Sequence, residues 1–147
     1  GNLTSRVITL IEKYSVGKIP GKAEDRFAVA KFWSAYDVAF AEYRFDDVVR
    51  LTQGFVTVLD ETINQEKPWA KAKAGEDIAP VLYQLAEGLR HIALAFLPII
   101  PASAAKILHE LGIDAAKLST LEKEQKWGGL SKDAIISKGD ILFPRIV

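Results

Sequence analysis

Apolar residues recur at steps of three and four along most of the chain, which is the spacing of amphipathic α-helices. The clearest stripes lie on a predicted third helix, from Asp46 to about Gln65, and on a predicted fourth helix, near Asp77 to Leu97. The third helix carries Val48, Thr52, Phe55, Leu59 and Ile63, and the fourth carries Leu82, Leu85, Ala86, Leu89, Ala93, Phe96 and Leu97. The pattern therefore predicts an all-α protein.

Three further helices are predicted around these two. The first carries the stripe Leu3, Val7, Leu10, Ile11 and Tyr14, and the fifth, which begins near Pro101, carries Ala104, Ile107, Leu108 and Leu111. The second covers roughly Ala23 to Tyr43, with Phe27, Ala30, Trp33 or Ser34, Asp37 and Phe40 at helical steps. That face is ambiguous, because Phe32 and Tyr36 fall elsewhere on the helical wheel. Gly112 is expected to cap the fifth helix.

Helical periodicity weakens after Ile113, where glycines become frequent. We predict that residues 113–147 form an extended tail that packs back onto the helices of residues 1–112. Its expected anchors are Trp127, Ile135, Ile136, Leu142 and Phe143. The predicted architecture is a bundle of about five helices with a wrapping tail, and the length of 147 residues suggests one domain.

Composition excludes several classes of protein. The chain has no cysteine, so neither disulfides nor a thiol nucleophile are available, and no apolar run reaches the roughly 20 residues that span a membrane. Nineteen basic and nineteen acidic residues cancel, whereas a free-standing nucleic-acid binder usually has a basic excess. A small local nucleic-acid site is compatible with this zero net charge. Because the chain starts at Gly1 and lacks methionine, we expect it to be part of a longer protein.

The catalytic and metal-binding motifs tested here do not fit. The stretch GKIPGK resembles a phosphate loop but is one residue too short, and neither Ser nor Thr follows Lys22. His91 and His109 lack partners at metal-ligand spacing, and His91 is expected at the surface or half-buried beside Arg90. Asp46 and Asp47 suit a helix start. We therefore expect neither a catalytic site nor a metal site in these residues.

Trp69 stands in the lysine-rich stretch NQEKPWAKAKAG, beside Lys67, Lys71 and Lys73. A tryptophan in such a polar setting is suited to stack on an unpaired nucleic-acid base while nearby cations contact phosphates. The alternative is a tryptophan that packs against the end of the third helix.

Asn2 and Arg6 lie four residues apart and thus share one face of the first helix. An amide and a guanidinium side by side match the hydrogen-bonding edge of a base. The alternative is an ordinary solvated helix face.

Several stretches in this order resemble the anticodon-binding domain of methionyl-tRNA synthetases, and together they cover nearly the whole chain. They are GNLTSRVITLIEKY, EYRFDDVVRLTQGFVTVLDETINQEKPWAKAK, VLYQLAEGLRHIALAFLPIIPASAAKILHELGI, WGGL and LFPRI. The most specific elements are N-L-x-x-R at Asn2 to Arg6 and P-W-x-x-A-K at Pro68 to Lys73. The second predicted helix contains no such signature.

The resemblance implies that Trp69 stacks on an anticodon base and that Asn2 and Arg6 recognise the first anticodon base, a cytosine. It implies a tRNA partner and a catalytic domain elsewhere in the same chain, with no membrane role. That domain would use ATP and magnesium to attach methionine to tRNA in the cytoplasm. The resemblance leaves open whether that domain also holds zinc. These residues themselves would hold no cofactor and catalyse nothing.

Two other interpretations remain open from the sequence. The first is the equivalent domain of a related synthetase, for cysteine, leucine, isoleucine or valine, although Asn2, Arg6 and the Pro68-Trp69 pair argue against it. The second is a helical protein-interaction module without an RNA role.

Overall fold

The computed structural model describes residues 1–132, 134–140, 142–144 and 146. Within them the helices are α1 (Asn2–Ser15), α2 (Val29–Ala41), α3 (Phe45–Glu66), α4 (Pro68–Lys73), α5 (Ala79–Phe96), α6 (Pro101–Glu110) and α7 (Leu121–Glu124), with a 3-10 turn at Ala115–Lys117. The predicted all-α bundle of five main helices is confirmed, since five of the described helices have ten or more residues.

Helix α5 is the centre of the bundle. All but one residue from Leu82 to Ala95 are buried, because α1, α3 and α6 pack around this helix. The five apolar-stripe positions predicted for α3 are all buried, and so are the four predicted for α6. Stripes with helical spacing form core faces here because burial of apolar surface is the main force that joins the helices.

The ends of two helices are set by residues with positive φ. Lys67, with φ of 45°, ends α3 in the left-handed region, and Pro68 then begins α4 at a position where its missing N–H costs nothing. Gly112, with φ of 77°, ends α6 as predicted, and the Ile113 N–H donates to the Leu108 carbonyl at 2.9 Å. This bond satisfies one of the last carbonyls of the helix.

The prediction for the second helix was wrong at its start and on its face. Helix α2 begins at Val29 and not near Ala23, because the Asp25 carboxylate accepts hydrogen bonds from the Phe27 and Val29 N–H groups. The buried residues of α2 are Val29, Trp33, Tyr36 and Ala39, so only Trp33 of the predicted face positions is buried. Tyr36 also donates a hydrogen bond to the Ala95 carbonyl at 2.7 Å.

The tail returns along the bundle, as predicted. The Ile19 N–H donates to the Ala134 carbonyl at 2.9 Å and the Ile136 N–H to the Gly17 carbonyl at 2.7 Å. Leu130 and Ile136 are buried. These contacts join the tail to the loop that follows α1.

Two of the five predicted tail anchors were wrong. Ile135 is 71% exposed and Phe143 is 58% exposed, whereas Ile136 is buried and Trp127 and Leu142 are half-buried. Successive side chains of an extended segment point to opposite sides, so burial of Ile136 turns Ile135 outward. The predicted tail also includes Asp133, Ile141, Arg145 and Val147, which lie outside the described residues.

Candidate nucleic-acid interface

The short helix α4 holds Trp69 at the surface. Its first residue, Pro68, is buried, and the left-handed backbone at Lys67 turns the chain sharply from α3 into α4. Trp69 is 43% exposed, although large aromatic side chains usually cover most of their surface in the core. The proline therefore anchors the turn and leaves the tryptophan ring accessible.

Trp69 and Arg6 line the same open groove, of about 260 Å³, between α1, α3 and α4. The other lining residues are Ser5, Thr9, Leu10 and Ile63. An aromatic ring with apolar neighbours at one side and a cation at the other suits a flat, polar-edged ligand such as a base. The structure thus brings together two of the residues that the sequence singled out.

Arg6 is held in place by α3. Its Nη1 donates to Asp60 Oδ1 and its Nη2 to Asn64 Oδ1, both at 2.8 Å. The ion pair with Asp60 is about one-third exposed at each side chain. Two of the five guanidinium N–H groups are used in this way, so three remain for a ligand. Sequence analysis missed Asp60 and Asn64 because they lie more than fifty residues from Arg6.

Asn2 does not line the groove of Arg6 and Trp69. It lies at the start of α1 and lines a neighbouring cavity of about 380 Å³ with Glu110, Lys138 and Phe143 among others. Ser5 contributes to both spaces, so they lie on either side of one helical turn. Asn2 and Arg6 lie one turn apart on α1, but their side chains line different spaces.

The three lysines near Trp69 have different surroundings. Lys71 forms an ion pair with Glu66, which also accepts a hydrogen bond from Arg26 at 3.0 Å. Hydrogen bonds from Lys71 and Arg26 hold the pKa of Glu66 below its ordinary value. Lys67 and Lys73 are exposed, and neither forms an ion pair within the described part of the chain. These two are therefore the cations best placed for an anionic ligand.

His91 is fully buried, so its prediction as a surface or half-buried residue was wrong. Its Nδ1 accepts a hydrogen bond from Trp33 Nε1 at 2.9 Å, which leaves Nε2 as the protonated nitrogen, 3.2 Å from Glu87 Oε1. Burial lowers the pKa of His91 below its ordinary value. The imidazole is thus neutral and acts as a structural link between α2 and α5.

Glu87 and Arg90 form a buried ion pair beside His91, with Arg90 Nη2 donating to Glu87 Oε1 at 2.7 Å. Burial alone would raise the pKa of Glu87, but the hydrogen bonds from His91 and Arg90 lower it to about 2. Sequence analysis missed this pair. A signal was present, since Glu87, Arg90 and His91 are spaced three and four apart on the helix with the clearest apolar stripe.

No metal-binding cluster is present among the described residues, where no group of three or more His, Asp or Glu side chains could hold an ion. Within the same residues, none of the helices has the length and hydrophobicity needed to cross a membrane.

Comparison with known proteins identifies relatives along nearly the whole chain. No protein-family model matches it. The chain is 30% identical over 157 residues to a methionine–tRNA ligase of Halalkalibacterium halodurans, and 33% identical over 156 residues to that of Caldanaerobacter subterraneus subsp. tengcongensis. Each alignment covers 99% of this chain but 24% of the relative. The chain therefore spans about a quarter of the length of these relatives.

Solved structures show the same fold. The free form of Mycobacterium tuberculosis methionyl-tRNA synthetase matches with a TM-score of 0.78 at 23% identity, over 100% of this chain and 32% of that one. The form bound to methionyl-adenylate matches with a TM-score of 0.77 over 98% and 30% of the two chains. By sequence and fold, the chain is similar to the C-terminal part of methionyl-tRNA synthetases.

Proposed function

We propose that this chain is the anticodon-binding domain of a methionine–tRNA ligase and that all 147 residues form this one domain. The observation that carries the proposal is the groove in which the exposed Trp69 ring lies beside the clamped Arg6 guanidinium. Sequence-specific RNA recognition uses bases that are splayed out of loops, stacked on aromatic rings and read along their edges. The anticodon loop offers such bases.

Stacking on an aromatic ring holds any base, so Arg6 supplies the discrimination between bases. A guanidinium only donates hydrogen bonds, so it pairs with two neighbouring acceptors of a base edge. Cytosine presents O2 and N3 as such acceptors, whereas uracil carries an N–H at its N3 position and would place donor against donor. The clamp from Asp60 and Asn64 keeps the guanidinium in one orientation, which lowers the entropy lost on binding.

The remaining groups extend this site. Asn2, in the neighbouring cavity beyond Ser5, reaches an adjoining nucleotide or the same base from its other side. Lys67 and Lys73 contact backbone phosphates, and Lys71 does so at the cost of its ion pair with Glu66. Because the net charge is zero, these few contacts leave other phosphates to the rest of the protein.

Catalysis belongs to the part of the protein outside these residues. That part binds ATP with magnesium and joins methionine to the tRNA that this domain selects, in the cytoplasm. A zinc site, where such an enzyme has one, also belongs there. The relatives named above are all methionine–tRNA ligases, which favours this specificity over cysteine, leucine, isoleucine or valine.

Replacement of Trp69 by alanine tests the stacking role. We expect the affinity of the full natural protein for an anticodon stem-loop to fall by about 1–3 kcal/mol, the usual contribution of one stacked base. The free energy of unfolding should change far less than the roughly 3–5 kcal/mol of a core tryptophan, because the ring is 43% exposed. Fluorescence anisotropy and thermal unfolding measure the two quantities.

Tyr43→Ala is the matched control, since Tyr43 is 80% exposed and lies between α2 and α3, outside the groove. It should leave stem-loop affinity unchanged. If Trp69→Ala melts the protein without weakening the binding of the remaining folded molecules, Trp69 is a packing residue and the proposed site is wrong.

Replacement of Arg6 by glutamine tests base discrimination. We expect the preference for cytosine over uracil at the first anticodon position to shrink by about 1–3 kcal/mol, the contribution of one good base contact. The variant Asp60→Asn removes the charged partner of Arg6. We expect its preference for cytosine over uracil to lie between those of the natural protein and Arg6→Gln. The measurement is charging efficiency of paired tRNAs by the full enzyme.

Lysine variants provide the contrast. We expect Lys67→Gln and Lys73→Gln to weaken the binding of all anticodons to the same extent. Each substitution should reduce the slope of log affinity against log salt by about 0.7. If Arg6→Gln lowers the charging efficiency of the cytosine and uracil tRNAs equally, Arg6 contacts the RNA backbone. That result would contradict its role in reading the base.

A further inference from the structure

Residues 124–132 form a strap that is held on α5 by polar groups. Three consecutive strap N–H groups, those of Gly128, Gly129 and Leu130, donate to the Glu87 carboxylate at 2.9, 2.9 and 3.1 Å. Arg90 donates to the Lys126 carbonyl at 2.8 Å and to Glu124 Oε2 at 3.1 Å. The Glu87–Arg90 pair thus supplies both an acceptor and a donor to the strap.

Two apolar side chains of the strap, Leu130 and Trp127, pack against the core. Leu130 is its one fully buried side chain, and Trp127 is half-buried. The Trp127 ring stacks on His91, with centroids 5.7 Å apart, and its Nε1 donates to the Ala23 carbonyl at 2.8 Å. Segments with few buried apolar contacts open at a lower free energy than core helices. The polar lock therefore decides whether this segment stays closed.

The lock requires two glycines. Gly128 has φ of 97°, a conformation that other residues rarely adopt. A Cβ atom on Gly129 would lie 2.6 Å from Arg90 Nη2, which is too close for any side chain. Successive N–H groups can converge on one anion only where the backbone takes such a conformation. The WGGL stretch is thus shaped to receive a buried carboxylate.

We propose that the strap opens and closes as a unit separate from the helical bundle, locked by the Glu87 carboxylate. In the closed state it covers the buried cluster of Glu87, Arg90 and His91, and Glu124, Tyr83 and Asp25 are ionisable groups near that cluster. In the open state water reaches these charges, while α1, α3 and α5 remain packed. The strap is a conformational device with its own opening equilibrium.

Hydrogen exchange of the full natural protein, resolved by mass spectrometry, tests this. We expect the strap amides to share one exchange rate, at least about tenfold faster than the α3 amides. Glu87→Gln should accelerate strap exchange by about 10- to 100-fold, because three bonds to a charged acceptor become bonds to a neutral amide. The α3 amides should stay the more protected set in both proteins.

A second variant keeps the test valid if Glu87→Gln fails to fold. Gly129→Ala leaves every helix residue unchanged and should also accelerate strap exchange, because its Cβ displaces Arg90. Gly54→Ala is the control, since a Cβ there meets no atom within 4 Å, and it should leave strap exchange unchanged. One common rate for the strap and α3, or strap exchange that neither Glu87→Gln nor Gly129→Ala alters, would overturn the proposal.

Discussion

Replacement of Arg90 by methionine is expected to lower the free energy of unfolding by about 3–5 kcal/mol, the cost of breaking a buried ion pair by removing one partner. Arg90 is 1% exposed and Glu87 is fully buried, so the variant would leave a carboxylate in the core without its cation. It would also remove the donor to the Lys126 carbonyl. Methionine is unbranched and apolar, so the change removes the charge with its hydrogen bonds and keeps much of the side-chain volume. Urea unfolding followed by circular dichroism measures the effect.

Arg50→Met is the matched control. Arg50 also pairs with carboxylates at helical spacing, at 2.8 Å from Asp47 and 3.8 Å from Asp46, but it is 74% exposed. Exposed ion pairs contribute about 0–1 kcal/mol because water solvates both partners. If the two substitutions cost equally little, the interior around Glu87 is more hydrated than the structure indicates and the ion pair has no special role.

Acidification is expected to destabilise the protein strongly below about pH 5. The pKa of Glu87 is lowered from 4.5 to about 2 in the folded chain, so the unfolded chain binds this proton first as the pH falls. The stabilisation is therefore fully present above pH 4.5 and is lost towards pH 2. A shift of this size corresponds to about 3 kcal/mol.

Two other titratable groups also change how stability depends on pH. Burial lowers the pKa of His91, so stability begins to fall as soon as the pH drops below the ordinary histidine value of 6.5. Glu110 acts in the opposite sense, because burial raises its pKa and the folded chain binds its proton more tightly.

The test is urea unfolding at a series of pH values for the natural chain and for Glu87→Gln. The variant is expected to be less stable at pH 7 and to lose less stability between pH 5 and 2. Parallel profiles for the two proteins would show that another carboxylate dominates the acid response.

Local sequence patterns were sufficient for most of the helical scaffold. The stripes of α3 and α6 were predicted residue by residue, because a helix with one apolar face has a single way to bury it. The glycine cap at Gly112 followed from the backbone preference of a single residue. The exposure of Trp69 agrees with one of the two interpretations that its polar neighbours left open.

Predictions failed where a polar side chain formed a specific hydrogen bond. The Asp25 carboxylate overrode the helical pattern at the start of α2, and Trp33 together with Glu87 drew His91 into the core. The exposure of Ile135 followed from the register in which the tail meets Gly17. Asp25 bonds to residues two and four positions away, whereas Trp33 and His91 lie 58 residues apart, and apolar periodicity records neither kind of bond.

The sequence by itself determined that the protein is a helical bundle, which stripes form its core, and which aromatic and cationic residues are candidates for a nucleic-acid site. Only the tertiary structure decided that Arg6 is clamped by Asp60 and Asn64 beside Trp69, that Asn2 faces a separate cavity, and that a buried carboxylate holds the tail. The physical reason is that periodicity reports the free energy of burying one helix face. The direction of a polar side chain depends instead on which partner the packed helices bring within hydrogen-bonding distance.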